Sequence, residues 1–122
     1  MITNDEHQKN LVANALHREQ EIYSYQLNID NYTAALDSLP AEELPDDLRQ
    51  YDGQDPNALP LSLTDEQHDL IVRCNYRNGL SRRIRAERAQ MLNAVTMRDV
   101  LKAQIGADYD ALVVAEKANV TP

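Results

Sequence analysis

The chain has 122 residues and a formal net charge of −8, with six Tyr but neither Trp nor Phe. This length favours a single domain, residues 1–122, with a modest core of aliphatic side chains and tyrosine rings. The one cysteine excludes an intrachain disulfide, and no apolar run is long enough to span a membrane. The first residues lack the basic and apolar regions of a signal peptide, so we expect a cytoplasmic protein without membrane contacts.

Charge is divided unevenly along the chain. Residues 1–69 contain 15 acidic and 3 basic residues, whereas residues 70–102 contain 8 basic and 2 acidic ones. Both stretches carry long helical patterns, so the chain has two electrostatically complementary surfaces. This division is typical of a protein that binds another protein or its own copy. The negative total opposes nonspecific binding to nucleic acid.

The first predicted helix spans residues 4–38. Thr3 and Glu6 match a capping box at its beginning, and Pro40 ends it because the residue before a proline is pushed out of the α region. An apolar seam between these points follows the alternating three- and four-residue steps of a coiled coil. Its positions are Leu11, Ala15, Arg18, Ile22, Tyr25, Ile29, Tyr32, Leu36 and Leu39. The seam predicts lengthwise packing against another helix.

Residues 40–63 form an acidic connector between the two long helices. Four prolines and Gly53 exclude a long helix there. Asp46–Tyr51 is predicted to form one or two helical turns that end near Gly53. Apolar residues of the connector are expected to anchor it on the helices, namely Leu44, Leu48, Tyr51, Leu59, Leu61 and Leu63.

The second predicted helix spans residues 65–105 and begins at a capping box formed by Thr64 and Gln67. Gly79 weakens it by up to about 1 kcal/mol relative to Ala, and a break there with a new helix capped by Ser81 is the alternative. A continuous helix is favoured because the apolar face keeps its phase on both sides of Gly79. That face comprises Leu70, Leu80, Ile84, Met91, Ala94, Val95, Leu101 and Ile105, with Cys74 at its edge.

The predicted fold class is all-α, with a long antiparallel, coiled-coil-like hairpin and a short C-terminal helix. Gly106 ends the second helix, and residues 109–119 form the third. The first helix also carries Leu16, Tyr23 and Leu27 on the side opposite its seam. Those residues need a second contact, so we expect a homodimer that forms a helical bundle.

Several charged residues fall on the two apolar faces and must be paired or lie at the rim. These seam charges are Arg18 in the first helix and Arg73, Arg77, Glu87 and Arg98 in the second. A register that places Leu36 near Leu70 brings Arg18 opposite Glu87. We therefore predict an Arg18–Glu87 pair that fixes the alignment of the hairpin.

The predicted interaction surface combines apolar and basic residues. Tyr23 and Leu27 supply the apolar part, and Arg82, Arg85 and Arg88 supply the basic part. A solvated helix face is the ordinary interpretation of such an arginine run. The functional interpretation is that these arginines bind an acidic protein or nucleic acid.

No residue pattern in the chain predicts catalysis, a metal site or a cofactor. His7, His17 and His68 lack metal-ligand spacing, and Cys74 has no positioned base. The predicted function is a non-enzymatic protein-interaction module acting as an adaptor, regulator or inhibitor. One alternative is a nucleic-acid-associated accessory protein that uses the arginine-rich helix. Another is an acidic inhibitor that imitates nucleic-acid phosphates, as phages and mobile elements use.

Overall fold

Helices form all the regular structure of the described part of the chain. The structure is a computed structural model that describes residues 4–120, with side chains described for residues 5–119. Its elements in chain order are α1 (Asn4–Asp37), two 3₁₀ turns (Asp46–Tyr51 and Pro56–Ala58), α2 (Asp65–Ile105) and α3 (Tyr109–Val120). The all-α prediction is confirmed, and the observed helix ends lie within one residue of the predicted ones. No described helix is both long enough and apolar enough to cross a membrane.

The beginning of α2 follows from its capping box. The Gln67 amide donates to Thr64 Oγ1 at 3.1 Å, and the Thr64 amide donates to Gln67 Oε1 at 2.9 Å. These two bonds satisfy amide groups that the helix itself leaves without partners. The other predicted box depends on Thr3, which lies outside the described residues. α2 then continues through Gly79 without a break, as predicted.

Two glycines with positive φ, which other residues rarely adopt, lie at or just beyond the ends of helical segments. Gly106 has a φ of 91°, and its amide donates to the Lys102 carbonyl at 2.9 Å, which closes the last turn of α2. Gly53 has a φ of 79° and follows the turn Asp46–Tyr51. Both endings match the sequence-based expectation.

The described chain divides into two compact units. Unit 1 comprises residues 4–28 and 87–120, and unit 2 comprises residues 29–86. α1 and α2 each contribute residues to both units, so this division does not decide between one domain and two. The single domain therefore stays a prediction.

Unit 1 is built from parts of all three long helices. Its core cluster contains Val12, Ala15, Ile105 and Tyr109, with Leu101 and other aliphatic residues packed against it. One side of α3 faces residues 16–24 of α1, and the other side faces residues 5–12, so α3 lies across α1.

The two long helices are antiparallel in unit 1. Arg98 donates to Glu19, and Asn28 donates to Glu87, so the residue numbers rise along α1 as they fall along α2. This confirms that the first two helices pack against each other.

The connector builds the core of unit 2. Leu44, Leu48 and Leu59 are buried against Ile71 and Cys74 of α2. Burial raises the pKa of the Cys74 thiol and keeps it protonated, which is the behaviour of a packing residue and not of a nucleophile. The predicted anchors are confirmed except for Leu61, which is fully exposed.

The predicted faces of both long helices are confirmed, since every seam position of α1 and every position of the α2 apolar face is buried or half-buried. The predicted register is wrong. Glu87 accepts a hydrogen bond from Asn28 at 3.3 Å, while Arg18 bonds Glu21 at 2.8 Å. Arg18 and Asn28 are ten residues apart, nearly three helical turns.

The cause of this error lies in unit 2. The connector leucines cover the first turns of α2, a face that the predicted register assigned to α1. The chain just beyond α1 instead reaches Arg77, whose guanidinium donates to the carbonyls of Leu39 and Pro40 at 3.4 and 3.2 Å. The predicted register, with Leu36 near Leu70, would place Leu39 near Gln67, so the observed contact with Arg77 lies ten residues, nearly three turns, further along α2.

Candidate interaction surfaces

The predicted apolar surface lies on α1 in unit 1. Tyr23 is 70% exposed and Leu27 is 48% exposed, so both are available to a partner. Leu16, the third residue expected to need an outside contact, is instead buried. It lines a groove together with Tyr109 and Val113 of α3, an arrangement that the sequence periodicity did not predict.

A groove runs beside Tyr23, between α1 and α3. It has a volume of about 820 Å³, and its apolar walls include Leu16, Tyr23, Val113 and Val114. Val114 is among the exposed apolar side chains of the protein. An open groove with apolar walls next to exposed Tyr23 and Leu27 is suited to an apolar group of a partner.

A polar cluster borders this groove. The Tyr109 hydroxyl donates to Glu19 Oε1 at 2.8 Å, and Arg98 Nη1 donates to the same oxygen at 3.4 Å. The Lys102 ammonium lies 5.3 Å from the centre of the Tyr109 ring. Burial of Tyr109, together with its bond to Glu19, raises its pKa to about 12. The hydroxyl therefore stays a hydrogen-bond donor at neutral pH and holds α3 against α1.

Arg98 shows how a charge is accommodated at the helix interface. Its guanidinium contacts Glu19 and also donates to Asp99 at 3.1 and 3.2 Å. Burial acts to lower the pKa of Arg98, but the bonds to Asp99 and the nearby charge of Glu19 outweigh it and raise the pKa. Arg98 is thus half-buried and paired, as the sequence requires of a charge on the apolar face, but the sequence did not identify Glu19 as its partner.

The other seam charges do not pair with one another. Arg18 contacts Glu21, Glu87 contacts Asn28, and Arg77 contacts backbone carbonyls. Arg73 is exposed, which corrects its assignment to the apolar face. It binds Glu42 of the connector through two hydrogen bonds of 2.9 and 3.1 Å, and this lowers the pKa of Glu42.

The predicted basic surface is divided between the two units. Arg82 and Arg85 belong to unit 2, and Arg88 belongs to unit 1. All three are exposed, and none makes a hydrogen bond, ion pair or ring contact within the described part of the chain. Their neighbour Arg83 instead lies 5.9 Å from the centre of the Tyr32 ring. The three arginines remain available to an outside acidic group.

The outer face of α2 in unit 1 was missed from the sequence. Leu92 is 65% exposed and Val100 is 56% exposed, with Met97 also open to solvent. The exposed residues Ala89, Leu92, Thr96, Val100 and Ala103 repeat at steps of three, four, four and three. This weaker stripe was obscured by the longer apolar face on the other side of the same helix. We call these five residues the α2 stripe.

Among the described side chains, no three His, Cys, Asp or Glu residues cluster as metal ligands would. The absence of a metal or cofactor from the function stays a prediction.

Comparison with known proteins gives no assignment. No protein family matches the chain, and neither a curated protein nor a solved structure shows significant similarity to it.

Proposed function

We propose that this protein is a non-enzymatic interaction module that binds an amphipathic helix of a partner protein. The binding surface consists of Tyr23, Leu27 and the groove between α1 and α3. In this role it acts as an adaptor, regulator or inhibitor, through surface recognition and without chemistry.

One observation carries this proposal, the exposure of Tyr23 and Leu27 beside an apolar groove of about 820 Å³. Large apolar side chains gathered at one place on a surface are typical of interaction sites. A helix that presents apolar residues every three or four positions fits such a groove. Tyr23 offers a large apolar ring and a hydroxyl, the combination enriched at binding hot spots.

The test is capture of a partner from native lysate by the immobilised protein. The double variant Tyr23→Ser/Leu27→Ser removes the apolar surface while leaving the core residues of unit 1 unchanged. Tyr76→Ser is a matched control, because Tyr76 is an exposed tyrosine of unit 2. We expect a specific captured protein with the wild type and with the control, and its loss with the double variant.

Nuclease treatment of the lysate separates direct from indirect capture. A protein partner that binds the groove is retained after nuclease. Equal capture by the wild type and by Tyr23→Ser/Leu27→Ser contradicts the proposed surface, whichever proteins are captured.

Self-association is a second part of the proposal. The sequence predicts self-association from three residues of α1, but Leu16, one of the three, is buried within unit 1. We therefore assign Tyr23 and Leu27 to the binding of a different protein. A helical bundle formed by two copies of this chain would need another surface for its contact. Light scattering across a range of concentrations tests it, since a dimer has twice the 13.9 kDa chain mass.

A nucleic-acid accessory role is the second candidate, favoured by the free arginines Arg82 and Arg85. The formal charge of −8 works against it, because the whole molecule repels phosphates. Fluorescence anisotropy with a labelled duplex tests this role. Binding that falls steeply with salt, and that Arg82→Ala/Arg85→Ala abolishes, would support it.

An acidic inhibitor of phage or mobile-element type remains a third candidate. The exposed carboxylates of the connector, among them Asp46, Asp47 and Asp55, favour it. Such an inhibitor would capture a nucleic-acid-binding protein, and excess duplex DNA would release that protein by competition.

A further inference from the structure

We propose that the α2 stripe of unit 1 binds a second copy of this chain, as an antiparallel helix pair with a two-fold axis at Thr96. The inference rests on the proposed function only in treating the protein as an interaction module. It concerns a different face from Tyr23 and Leu27 and a different partner.

The spacing of the α2 stripe identifies the partner. Steps of three, four, four and three residues read the same in both directions from Thr96. A two-fold axis there places Leu92 of each copy opposite Val100 of the other, and Ala89 opposite Ala103. A symmetric dimer uses one patch twice, so a patch that is its own reverse suits a second copy better than an unrelated helix.

The side chains of the stripe also fit close helix packing. Leu92 and Val100 are large and exposed, so they have apolar area to bury. Small alanines at both ends let two helices approach each other. The Thr96 hydroxyl donates to the Leu92 carbonyl at 3.0 Å, so its donor is already satisfied within the helix. Covering Thr96 therefore leaves no unpaired hydroxyl donor.

Charges beside the stripe are complementary under the same symmetry. At 100° per residue, Arg88 and Asp99 lie on one flank of the stripe, and Asn93 and Gln104 lie on the other. An antiparallel two-fold pair brings equal flanks together, so Arg88 of each copy comes within side-chain reach of Asp99 of the other. Arg88 makes no hydrogen bond, ion pair or ring contact within the described residues, so it is free for this pairing. Asp99 already accepts from Arg98, but its side chain is 59% exposed and a carboxylate can accept from two arginines.

The area of the stripe indicates the strength of the contact. From Ala89 to Ala103 the helix rises about 21 Å. A stable dimer usually buries about 800 Å² on each partner, and one helix pair of this length supplies less. We therefore expect an equilibrium between monomer and dimer that depends on concentration.

Disulfide cross-linking of the purified full-length chain tests the register. Thr96→Cys places two thiols at the proposed axis, where the Cα atoms can come within the roughly 7 Å that a disulfide requires. Gln104→Cys is the matched control, because its two copies would be about 24 Å apart along the pair. The native Cys74 is buried and does not compete.

Under mild oxidation, Thr96→Cys should cross-link at least tenfold faster than Gln104→Cys. A mixture of Leu92→Cys and Val100→Cys should cross-link faster than either variant alone. Sedimentation of the reduced wild type should show a dimer at high concentration, and Leu92→Glu should shift it to monomer.

Three results would overturn the proposal. They are a chain that stays monomeric at millimolar concentration, a dimer that Leu92→Glu leaves intact, and equal cross-linking of Thr96→Cys and Gln104→Cys. These results leave capture through Tyr23 and Leu27 unaffected, so failure here is distinguishable from failure of the proposed function.

Discussion

Units 1 and 2 are similar in size but expose different kinds of side chain. Of the eight large apolar side chains exposed among the described residues, six belong to unit 1 and two to unit 2. In unit 2 the connector covers Ile71 and Cys74 with leucines of its own. In unit 1 the outer faces of α1 and α2 keep exposed apolar residues. The comparison indicates that unit 2 buries most of its large apolar side chains, while unit 1 leaves more of them exposed.

The two units also differ in where their polar side chains form contacts. Unit 1 has its main cluster at a helix interface, where Glu19 receives hydrogen bonds from Tyr109 and Arg98. Unit 2 uses polar side chains of α2 to hold the connector, with Arg73 bound to Glu42 and Asn75 bound to the backbone near Gly53. Substitutions in unit 1 and in unit 2 should therefore change the stability of the protein by different amounts.

The largest effect is expected in the core of unit 2. Ile71 is 0% exposed, so Ile71→Ala leaves a cavity beneath the connector and should lower the free energy of unfolding by about 2–5 kcal/mol. Leu92→Ala in unit 1 should change it by no more than about 0.5 kcal/mol in dilute solution, because Leu92 is exposed. Urea unfolding followed by circular dichroism measures both. Similar losses for the two variants would contradict the proposed difference between the units.

Alkaline pH should weaken unit 1 through Tyr109. Its folded pKa of about 12 exceeds the ordinary value of 10, so the folded state holds this proton more tightly than the unfolded chain does. The resulting stabilisation is present below pH 10 and is lost as the pH rises towards 12. The loss should be about 2–3 kcal/mol.

The measurement is unfolding free energy across this pH range. Tyr109→Phe should flatten the dependence, whereas Tyr23→Phe should retain it because Tyr23 is exposed. If Tyr109→Phe followed the wild-type curve, Tyr109 would not be the group responsible.

Some of this structure could be predicted from the sequence because its causes are local. The start of α2 depends on Thr64 and Gln67, and its end depends on Gly106. Buried faces follow from the helical period, so the seam of α1 was predicted correctly. These patterns require no knowledge of distant contacts.

Register and partners could not be predicted in the same way. Every turn of an apolar stripe resembles the next, so Leu36 could be placed beside Leu70 as readily as beside a residue three turns further along α2. The connector decides between them by covering the beginning of α2. Glu19 and Tyr109 are 90 residues apart, and their contact depends on how α3 crosses α1. The spacing of apolar residues in α3 predicts which of its faces is buried, but not where or at what angle it packs on α1.

A smaller loss of stability is expected when hydrogen bonds between α2 and the connector are removed. The Asn75 side chain accepts from the Gly53 amide at 2.9 Å and donates to the carbonyls of Tyr51 and Gln54, both at 3.4 Å. Asn75→Ala should cost about 1 kcal/mol, because these groups turn to water. Hydrogen exchange of the Gly53 amide should become faster. Asn93→Ala, in unit 1, is the control variant and should leave the exchange rate of the Gly53 amide unchanged. If Asn93→Ala accelerated exchange of the Gly53 amide as much as Asn75→Ala does, the effect would not be local.

The smallest changes in the free energy of unfolding are expected from replacing two glycines by alanine, and the two changes should have opposite signs. Gly79 lies within α2, and a Cβ built there meets nothing within 4 Å. Gly79→Ala should therefore stabilise unit 2 by about 0.5–1 kcal/mol, since alanine loses less backbone freedom on folding. Gly106 also has open space around it, but its φ of 91° strains any other residue.

Gly106→Ala should therefore destabilise unit 1 by about 1 kcal/mol. The two variants make the same chemical change in uncrowded surroundings, so backbone conformation alone should separate them. Thermal unfolding measured side by side should raise the midpoint for Gly79→Ala and lower it for Gly106→Ala. A lower midpoint for both would mean that α2 needs a glycine at position 79, which the continuous helix does not require.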